Sequence, residues 1–372
     1  MTNADPTPGA LPGTAMLACK ASSDNATAPG GGATPGAKAP SEGQPASWMA
    51  VRFGHMGDVV LTTGVLAWLG RTRGWTFDCL VGVGLSPIFE EHPFVRNILS
   101  LDTRCGAIPL TRVFRELAQS RKGWGLLDLH GSLRSRLLAG MWQGPVARYR
   151  KMALARRVFL AGKGRWFGPA LRGLTVPQRY ALAIAGETPP AAELLPRIWL
   201  REEEKNRATG QLADCFGLET RPVALHPYAT HSLKAWPERH FRALVAALDA
   251  RSIPWICVGK GENFFPGRKE DFTNKTSLRE TCALLERCRA LVTGDSGPMH
   301  LAAAVGTPVL ALFGPTTREW GFYPAGPQDR VLELELDCRP CSLHGKRPCG
   351  KGGACLAEIT PEMILSALEE LL

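Results

Sequence analysis

The 372-residue sequence lacks an apolar run long enough to cross a membrane as a helix, which excludes a helical integral membrane protein. Its N-terminus lacks the positive and continuous apolar segments of a secretory signal peptide. Its eleven cysteines are odd in number and mostly scattered, which excludes a small secreted domain held by disulfides. The glycines at 54–57 and 82–84 do not complete the fingerprint of a dinucleotide-binding dehydrogenase. We therefore expect a cytoplasmic protein of about two domains.

Aromatic residues are absent from positions 1–47, which are dominated by alanine, glycine and proline. Such a segment cannot bury enough apolar area to offset the entropy that is lost on ordering. The sequence predicts a disordered tail over 1–47, with order beginning at Trp48.

Acidic residues are absent from positions 134–179, although the whole chain contains 34 Asp and Glu against 44 Lys and Arg. The basic side chains of this segment are Arg134, Arg136, Arg148, Arg150, Lys151, Arg156, Arg157, Lys163, Arg165, Arg172 and Arg179. Without these eleven the chain would carry 33 basic and 34 acidic residues, so its formal charge of +10 has one local origin. We expect the segment to contact phosphate, carboxylate or an anionic membrane surface, unless it is a solvated face with no ligand.

Strand and helix patterns alternate in two series along the chain. The first series has strands at 48–53, 77–83 and 125–129 and helices at 59–69, 110–118 and 133–141. The second has strands at 222–226, 253–258, 290–293 and 308–313 and helices at 277–288 and 297–305. They predict an α/β fold with two Rossmann-like domains facing a cleft, at 48–200 and 201–372, joined by a linker near 187–205.

A candidate phosphate site lies at 294–300, where a buried strand turns into a helix. A helix start presents unpaired backbone N–H groups and the positive end of the macrodipole, which together favour an anion. Ser296 can add a hydroxyl, Gly297 permits close approach to the backbone, and His300 can donate to a phosphate oxygen. The alternative is an ordinary cap, with Asp295 or Ser296 at the N-cap and His300 as a surface residue.

Two loops of the second series add polar groups at the carboxyl edge of the predicted sheet, where α/β proteins bind ligands. The loop 226–236 contains Lys234 among hydroxyls such as Thr230, and a lysine there can hold a pyrophosphate. Glu262 follows the next strand and can hold ribose hydroxyls. Both side chains are otherwise ordinary solvated loop residues.

Asp58 ends the turn 54–58 that follows the first predicted strand, beside the presumed cleft. A carboxylate there can serve as a general base if an acceptor hydroxyl lies within hydrogen-bond reach. Alternatively, Asp58 only caps the helix that follows.

Four cysteines, Cys338, Cys341, Cys349 and Cys355, lie within a Gly- and Pro-rich loop at 338–355. Closely spaced thiolates can hold a zinc ion, but the spacing matches no common zinc finger. Reduced thiols or a redox-dependent pair are the alternative to a structural metal.

The motifs together resemble glycosyltransferase family 9, the heptosyltransferases that build the inner core of lipopolysaccharide. The matching blocks are 51–62, 127–135, 226–237, 293–304 and 312–316, followed by the Cys loop and 359–362. The resemblance implies a GT-B type fold and inverting transfer with neither a catalytic metal nor another cofactor. The first domain would hold the acceptor, and the second an ADP-heptose.

The resemblance also assigns roles to individual positions. Asp58 matches the catalytic base and Lys234 the pyrophosphate-binding lysine. Asp295, Ser296, Gly297 and His300 match the phosphate-binding helix start, Glu262 the ribose ligand, and Thr230 lies in the donor loop. His130, Arg134 and Arg136 are the expected acceptor-binding residues.

The expected partners are the nucleotide-sugar donor, an anionic glycolipid acceptor and the inner face of the inner membrane as a peripheral contact, with no nucleic acid. Three alternatives stay open: a nucleotide-sugar epimerase of the same architecture, a family 9 transferase that uses another sugar, and a binding module without activity. An epimerase would need no acceptor and no basic segment, and a binding module would tolerate the loss of Asp58.

Overall fold

A computed structural model describes residues 22–23, 45–166, 171–186, 188–346 and 349–371. The tail predicted over 1–47 lies outside these residues except for 22–23 and 45–47. The pair Ser22–Ser23 forms a short strand, β1. Among the residues described, none of the helices is both long enough and apolar enough to span a bilayer.

The N-terminal lobe is a six-stranded sheet in the order β1-β4-β3-β2-β5-β6. Its further strands are β2 (Ser47–Arg52), β3 (Thr76–Gly82), β4 (Val95–Leu101), β5 (Gly125–Asp128) and β6 (Val146–Arg148). All neighbouring pairs except β1 with β4 are parallel. The central strands are buried along almost their whole length, as expected for a parallel sheet covered on both faces.

The helices of this lobe are α1 (Met56–Arg73), α2 (Ala107–Ser120), α3 (Leu133–Met141), α4 (Ala153–Ala161) and α5 (Val176–Ala185). Helix α1 is longer than the predicted 59–69, and every residue from Val59 to Gly70 is buried. Strands β4 and β6 had no counterpart among the predicted elements. Helix α4 and the first half of α5 lie in the stretch 144–180, where the sequence indicates helical pieces without a clean period.

The C-terminal lobe is a five-stranded parallel sheet in the order β11-β10-β9-β7-β8. Its strands are β7 (Val223–His226), β8 (Trp255–Cys257), β9 (Ala290–Gly294), β10 (Val309–Phe313) and β11 (Arg330–Glu333). Its helices are α6 (Glu202–Phe216), α7 (Glu238–Ala250), α8 (Leu278–Glu286), α9 (Gly297–Ala304), α10 (Ala354–Ala357) and α11 (Pro361–Glu369). The prediction of two α/β sheets is therefore confirmed.

The connection between the lobes is shorter than the predicted 187–205, because helix α6 begins at Glu202. Helix α1 packs closely on this connection, and a Cβ at Gly64 would lie 2.3 Å from the carbonyl oxygen of Leu195. One buried apolar cluster includes residues of both lobes, among them Val65 of α1 and Leu301 of α9. The two sheets therefore share a core along the α1 and α9 helices.

Candidate functional site

A cavity of about 430 Å³ lies between the lobes. Its walls come from segments that follow the carboxyl ends of β2 and β6 in one lobe and of β7, β9 and β10 in the other. Asp58, Lys234, Asp295, Ser296, Gly297 and His300 all line it. The structure thus brings together six of the predicted site residues, at the sheet edge where parallel α/β folds bind ligands.

Asp58 is the third residue of α1, and its carboxylate is 14% exposed. The Tyr180 hydroxyl donates to Asp58 Oδ1 at 3.0 Å, and the Arg52 guanidinium forms an ion pair with Oδ2. These two contacts fix the orientation of the Asp58 side chain at the cavity wall. Each oxygen keeps capacity to accept another hydrogen bond.

The alternative that Asp58 caps α1 is wrong, because the N-cap is His55 and no side chain caps this helix end. His55 has φ of 63°, a left-handed conformation that is uncommon outside glycine. It also lines the cavity. Strained backbone of this kind is often found at functional sites.

Helix α9 begins at the opposite wall, with Ser296 as its N-cap and no side-chain capping hydrogen bond. The Ser296 hydroxyl instead lies 3.1 Å from Thr293 Oγ1 and 3.4 Å from His226 Nδ1. The backbone N–H groups of Gly297 and Met299 therefore remain available to a ligand, whereas Pro298 between them has none. Available N–H groups are the requirement of an anion site at a helix start.

Gly297 has a second role that the sequence did not indicate. A Cβ at this position would lie 2.2 Å from the terminal carbon of Met56, at the start of α1. Similarly, a Cβ at Gly57 would lie 2.5 Å from the ring of His300. The two glycines allow the starts of α1 and α9 to meet, and this contact sets the distance between Asp58 and the helix start.

His300 is buried, so its interpretation as a surface residue is wrong. Burial lowers its pKa to about 4, so the ring is neutral at pH 7. A neutral imidazole can still donate one hydrogen bond, but it supplies no charge to a phosphate.

Lys234 extends into the cavity from the loop after β7, in a short helical turn at Ser232–Lys234. Its Nζ lies 2.5 Å from Asp295 Oδ2, which also accepts from the Thr316 hydroxyl at 2.8 Å. Gly345 packs against the Lys234 stem, because a Cβ there would lie 2.9 Å from Cγ. The ammonium group is thus held beside the start of α9 by a carboxylate partner.

Three basic side chains of the segment 134–179 also line the cavity: Lys151, Arg156 and Arg157. Burial and the nearby Arg52 lower the pKa of Lys151. Arg156 Nη2 donates to the Trp320 carbonyl at 3.1 Å, which links α4 to the C-terminal lobe. The cavity therefore contains more positive than negative side chains, as the binding of an anion requires.

The remaining predicted site residues do not line the cavity. Thr230 and Glu262 are exposed on loops of the C-terminal lobe, and Arg134 and Arg136 are exposed on α3. His130 packs edge-on against Phe53, with ring centroids 5.1 Å apart, and burial lowers its pKa to about 4. The structure leaves these five residues outside the cavity lining, although His130 lies close enough to Arg52 and Asp58 for their charges to act on its pKa.

The cysteine loop contributes to the site through other residues, because Leu343 and His344 line the cavity. Cys338, Cys341, Cys349 and Cys355 are all free thiols. Within the described part of the chain, no group of three or more His, Cys, Asp or Glu side chains has a geometry that could hold a metal ion. This arrangement gives no support to the zinc alternative.

Several site residues were missed by the sequence analysis. Arg52 and Tyr180 hold Asp58, and Trp320 and Phe322 form an apolar wall. The acid-free stretch 134–179 was a signal for Lys151, Arg156 and Arg157. Nothing in the sequence distinguished these three from the other cations of the stretch, and nothing indicated Tyr180.

The model of glycosyltransferase family 9 (heptosyltransferase) matches residues 112–349. The chain belongs to glycosyltransferase family 9. This match confirms the family that the motifs resemble, and it includes Lys234, Asp295 and Ser296 but not Asp58.

Known relatives agree with this assignment. Lipopolysaccharide heptosyltransferase 2 of Salmonella typhimurium is 24% identical over 327 residues, which cover 79% of this chain and 89% of that protein. Lipooligosaccharide heptosyltransferase 2 of Haemophilus influenzae is 34% identical over 159 residues, or 37% of this chain and 43% of that protein. The chain thus spans less than half the length of the Haemophilus relative.

Solved structures share the architecture. The family 9 glycosyl transferase of Veillonella parvula has a TM-score of 0.68 at 18% identity, covering 89% of this chain and 98% of that one. The Escherichia coli ADP-heptose lps heptosyltransferase II has a TM-score of 0.61 at 22% identity, and the match covers 87% of this chain and 98% of that one. At these identities the likeness shows the fold, and it confirms the predicted GT-B type.

Proposed function

We propose that this chain is an inverting heptosyltransferase, which moves a heptose from ADP-heptose to the inner core of lipopolysaccharide. One observation carries the proposal: the Asp58 carboxylate and the uncapped start of α9 line the same cavity from opposite lobes. The cavity has the size of a small-molecule site. The heptosyltransferase names of the relatives support the sugar, and an E. coli heptosyltransferase of the same fold was solved with ADP.

In this mechanism, Asp58 takes the proton from an acceptor hydroxyl as that oxygen attacks the anomeric carbon of the heptose. The new carbon–oxygen bond forms on the face opposite the diphosphate, whose bond to the anomeric carbon breaks. One displacement inverts the configuration and releases ADP. The ion pair with Arg52 and the hydrogen bond from Tyr180 hold the Asp58 side chain in place at the cavity wall.

Negative charge grows on the leaving ADP. The N–H groups at the start of α9 and the Lys234 ammonium are already placed to stabilise it, and a preorganised donor of this kind contributes about 3 to 4 kcal/mol. Lys151, Arg156 and Arg157 add positive charge to the cavity. In this proposal these groups stabilise the charge that a divalent ion would otherwise stabilise, so transfer is independent of metal.

The acceptor is an anionic glycolipid, whose carboxylates and phosphates fit the basic lining of the N-terminal lobe. The protein reaches this acceptor by binding peripherally to the inner face of the inner membrane. Glu262, Thr230, His130, Arg134 and Arg136 stay predictions as ligands, because all five lie outside the cavity lining.

The test is a transfer assay with ADP-heptose and a lipid A acceptor that carries the inner-core sugar Kdo. We expect product of inverted configuration, unchanged by a chelator, and a loss of about 10²- to 10⁴-fold in kcat for Asp58→Asn, which removes a general base. Asp249→Asn, an exposed aspartate of the other lobe, is the control. Conversion of the donor without an acceptor would instead indicate an epimerase, and full activity of Asp58→Asn would remove the base from its role.

A further inference from the structure

Large apolar side chains are exposed unevenly over the molecule. Nine are exposed among the described residues, and eight of these belong to the N-terminal lobe. The eight are Val83, Ile108, Leu133, Leu137, Val146, Leu154, Trp166 and Leu182; the ninth is Leu218. Leu133 is 83% exposed, Leu154 75% and Trp166 60%, and exposed apolar area of this kind is typical of an interaction surface.

Helices α3 and α4 each present an outward stripe that mixes leucine with arginine. On α3 the exposed positions 133, 136, 137 and 140 follow helical spacing, and on α4 the exposed positions 154, 157 and 161 do the same. The opposite face of α4 is anchored, because buried Phe159 packs on Trp320 with ring centroids 5.7 Å apart. The outward stripes are therefore held in place rather than free to collapse onto the core.

Six exposed cations lie in the same stretch of sequence as Leu133, Leu154 and Trp166, and we call them the basic rim: Arg134, Arg136, Arg150, Arg157, Lys163 and Arg165. Other cations of the same segment do have acidic or carbonyl partners, such as Arg148 with Asp128 at 3.2 Å. Over the described part of the chain, no ion pair and no side-chain hydrogen bond engages the basic rim. Its charge is thus available to an outside partner.

The basic rim adjoins the cavity. The loop before α3 lies next to the cavity residue Lys151, since a Cβ at Gly131 would lie 3.7 Å from the Lys151 side chain. Helix α4 itself lines the cavity through Ala153, Arg156 and the rim residue Arg157. A flat anionic surface that contacts the rim would therefore lie beside the cavity.

We propose that Leu133, Leu154 and Trp166 insert into the headgroup region of an anionic bilayer while the basic rim contacts lipid phosphates. Apolar side chains within a field of Lys and Arg are the composition of interfacial membrane-binding surfaces. A symmetric contact between two copies is disfavoured, because it would place the basic rims against each other. The proposal deepens the proposed function by naming the surface that reaches a lipid acceptor.

The test is cosedimentation of the full chain with vesicles, without substrates. We compare phosphatidylcholine alone with phosphatidylcholine containing about one third phosphatidylglycerol. We expect the wild type to bind only the anionic vesicles, and the double variant Leu133→Ser/Leu154→Ser to bind about tenfold more weakly or worse. The matched control is Leu218→Ser, since Leu218 is 79% exposed in the C-terminal lobe, and we expect it to bind like the wild type.

A charge variant, Lys163→Glu/Arg165→Glu, should also bind the anionic vesicles about tenfold more weakly. Its binding should depend less on salt than that of the wild type. Absence of wild-type binding to anionic vesicles, or an equal loss in Leu218→Ser, would overturn the proposal. So would a double leucine variant that dissociates a wild-type dimer but still binds vesicles normally. Vesicle binding needs no transfer, so failure of this surface and failure of the proposed activity are separate results.

Discussion

The two lobes distribute their charge in different ways. In the C-terminal lobe, six arginines form ion pairs with carboxylates: Arg207, Arg242, Arg251, Arg268, Arg279 and Arg339. In the N-terminal lobe, the basic rim has no such partners in the part of the chain that the structure describes. The C-terminal lobe thus pairs many of its arginines with carboxylates and offers a backbone helix start to a ligand, whereas the N-terminal lobe presents the basic rim.

This difference fits two anionic ligands of different kinds. A compact diphosphate is matched by converging N–H groups and one lysine. A large acceptor at a membrane is matched by charge and apolar area spread over a surface. The comparison can be tested by changing each lobe separately.

Among the changes that compare the two lobes, replacing Lys234, the cavity lysine of the C-terminal lobe, should have the largest effect. We expect Lys234→Met to weaken ADP binding and to lower kcat by about 10²- to 10³-fold, because the charge on the leaving group loses a preorganised donor. Lys260→Met, an exposed lysine of the same lobe, is the control. Calorimetry with ADP and the transfer assay measure the two effects, and an unchanged ADP affinity would contradict the role of Lys234.

Moving the two lobes apart should lower kcat by less than the loss of Lys234. This effect depends on a residue from each lobe. In Gly57→Ala the new Cβ would clash with the His300 ring, so α1 and α9 must move apart. We expect kcat to fall about 10- to 100-fold, since misplacement by about 1 Å is enough for such a loss. Gly54→Ala, with no atom within 4 Å of the added Cβ, is the control from the same turn.

A double variant makes this test sharper. If the clash causes the loss, removing the ring in Gly57→Ala/His300→Ala should restore part of the lost kcat relative to His300→Ala alone. Independent, additive losses would show that Gly57 acts in another way.

Acid should lower the stability of the two lobes to a similar extent, because each lobe contains a buried neutral histidine. Burial lowers the pKa of His92 in one lobe and of His226 in the other to about 4, below the value near 6.5 of an unfolded histidine. The unfolded state therefore binds more protons between pH 6.5 and 4, so stability is full above pH 6.5 and is lost as pH falls through this window.

We expect each histidine to reduce the free energy of unfolding by about 1 to 2 kcal/mol at pH 5. Urea unfolding at pH 7.5 and pH 5 measures this loss, with His92→Gln and His226→Gln each flattening the pH dependence. A stability that does not change over this range would contradict the assignment of neutral buried rings.

The sequence predicts those parts of the fold and the site that depend on neighbouring residues, such as apolar runs and turn residues. Buried strands such as β2 and β9 are continuous apolar runs, and the turn into α9 is marked by Ser296, Gly297 and a following proline. Helix α6 was missed because its polar first turn follows prolines at 189, 190 and 196, which indicate a linker. Its helical pattern becomes clear only through packing of Ala208 and Leu212.

The environment of the base could not be predicted, because it depends on distant contacts. Tyr180 is 122 residues from Asp58 in sequence and reaches it only through packing of α5 on α1. The meeting of Gly57 with His300 likewise requires both lobes to be folded. Sequence motifs indicate which groups are candidates for the chemistry, whereas tertiary packing determines what holds them.

The central claim is that a base from one lobe and a diphosphate site from the other share one cavity. A crystal structure of the chain with ADP tests it most directly. We predict the diphosphate within hydrogen-bond distance of the backbone N–H groups that begin α9 and of Lys234, with its outer phosphate facing Asp58. A diphosphate bound elsewhere, such as in the apolar cavity of about 250 Å³ that His300 also lines, would contradict the account.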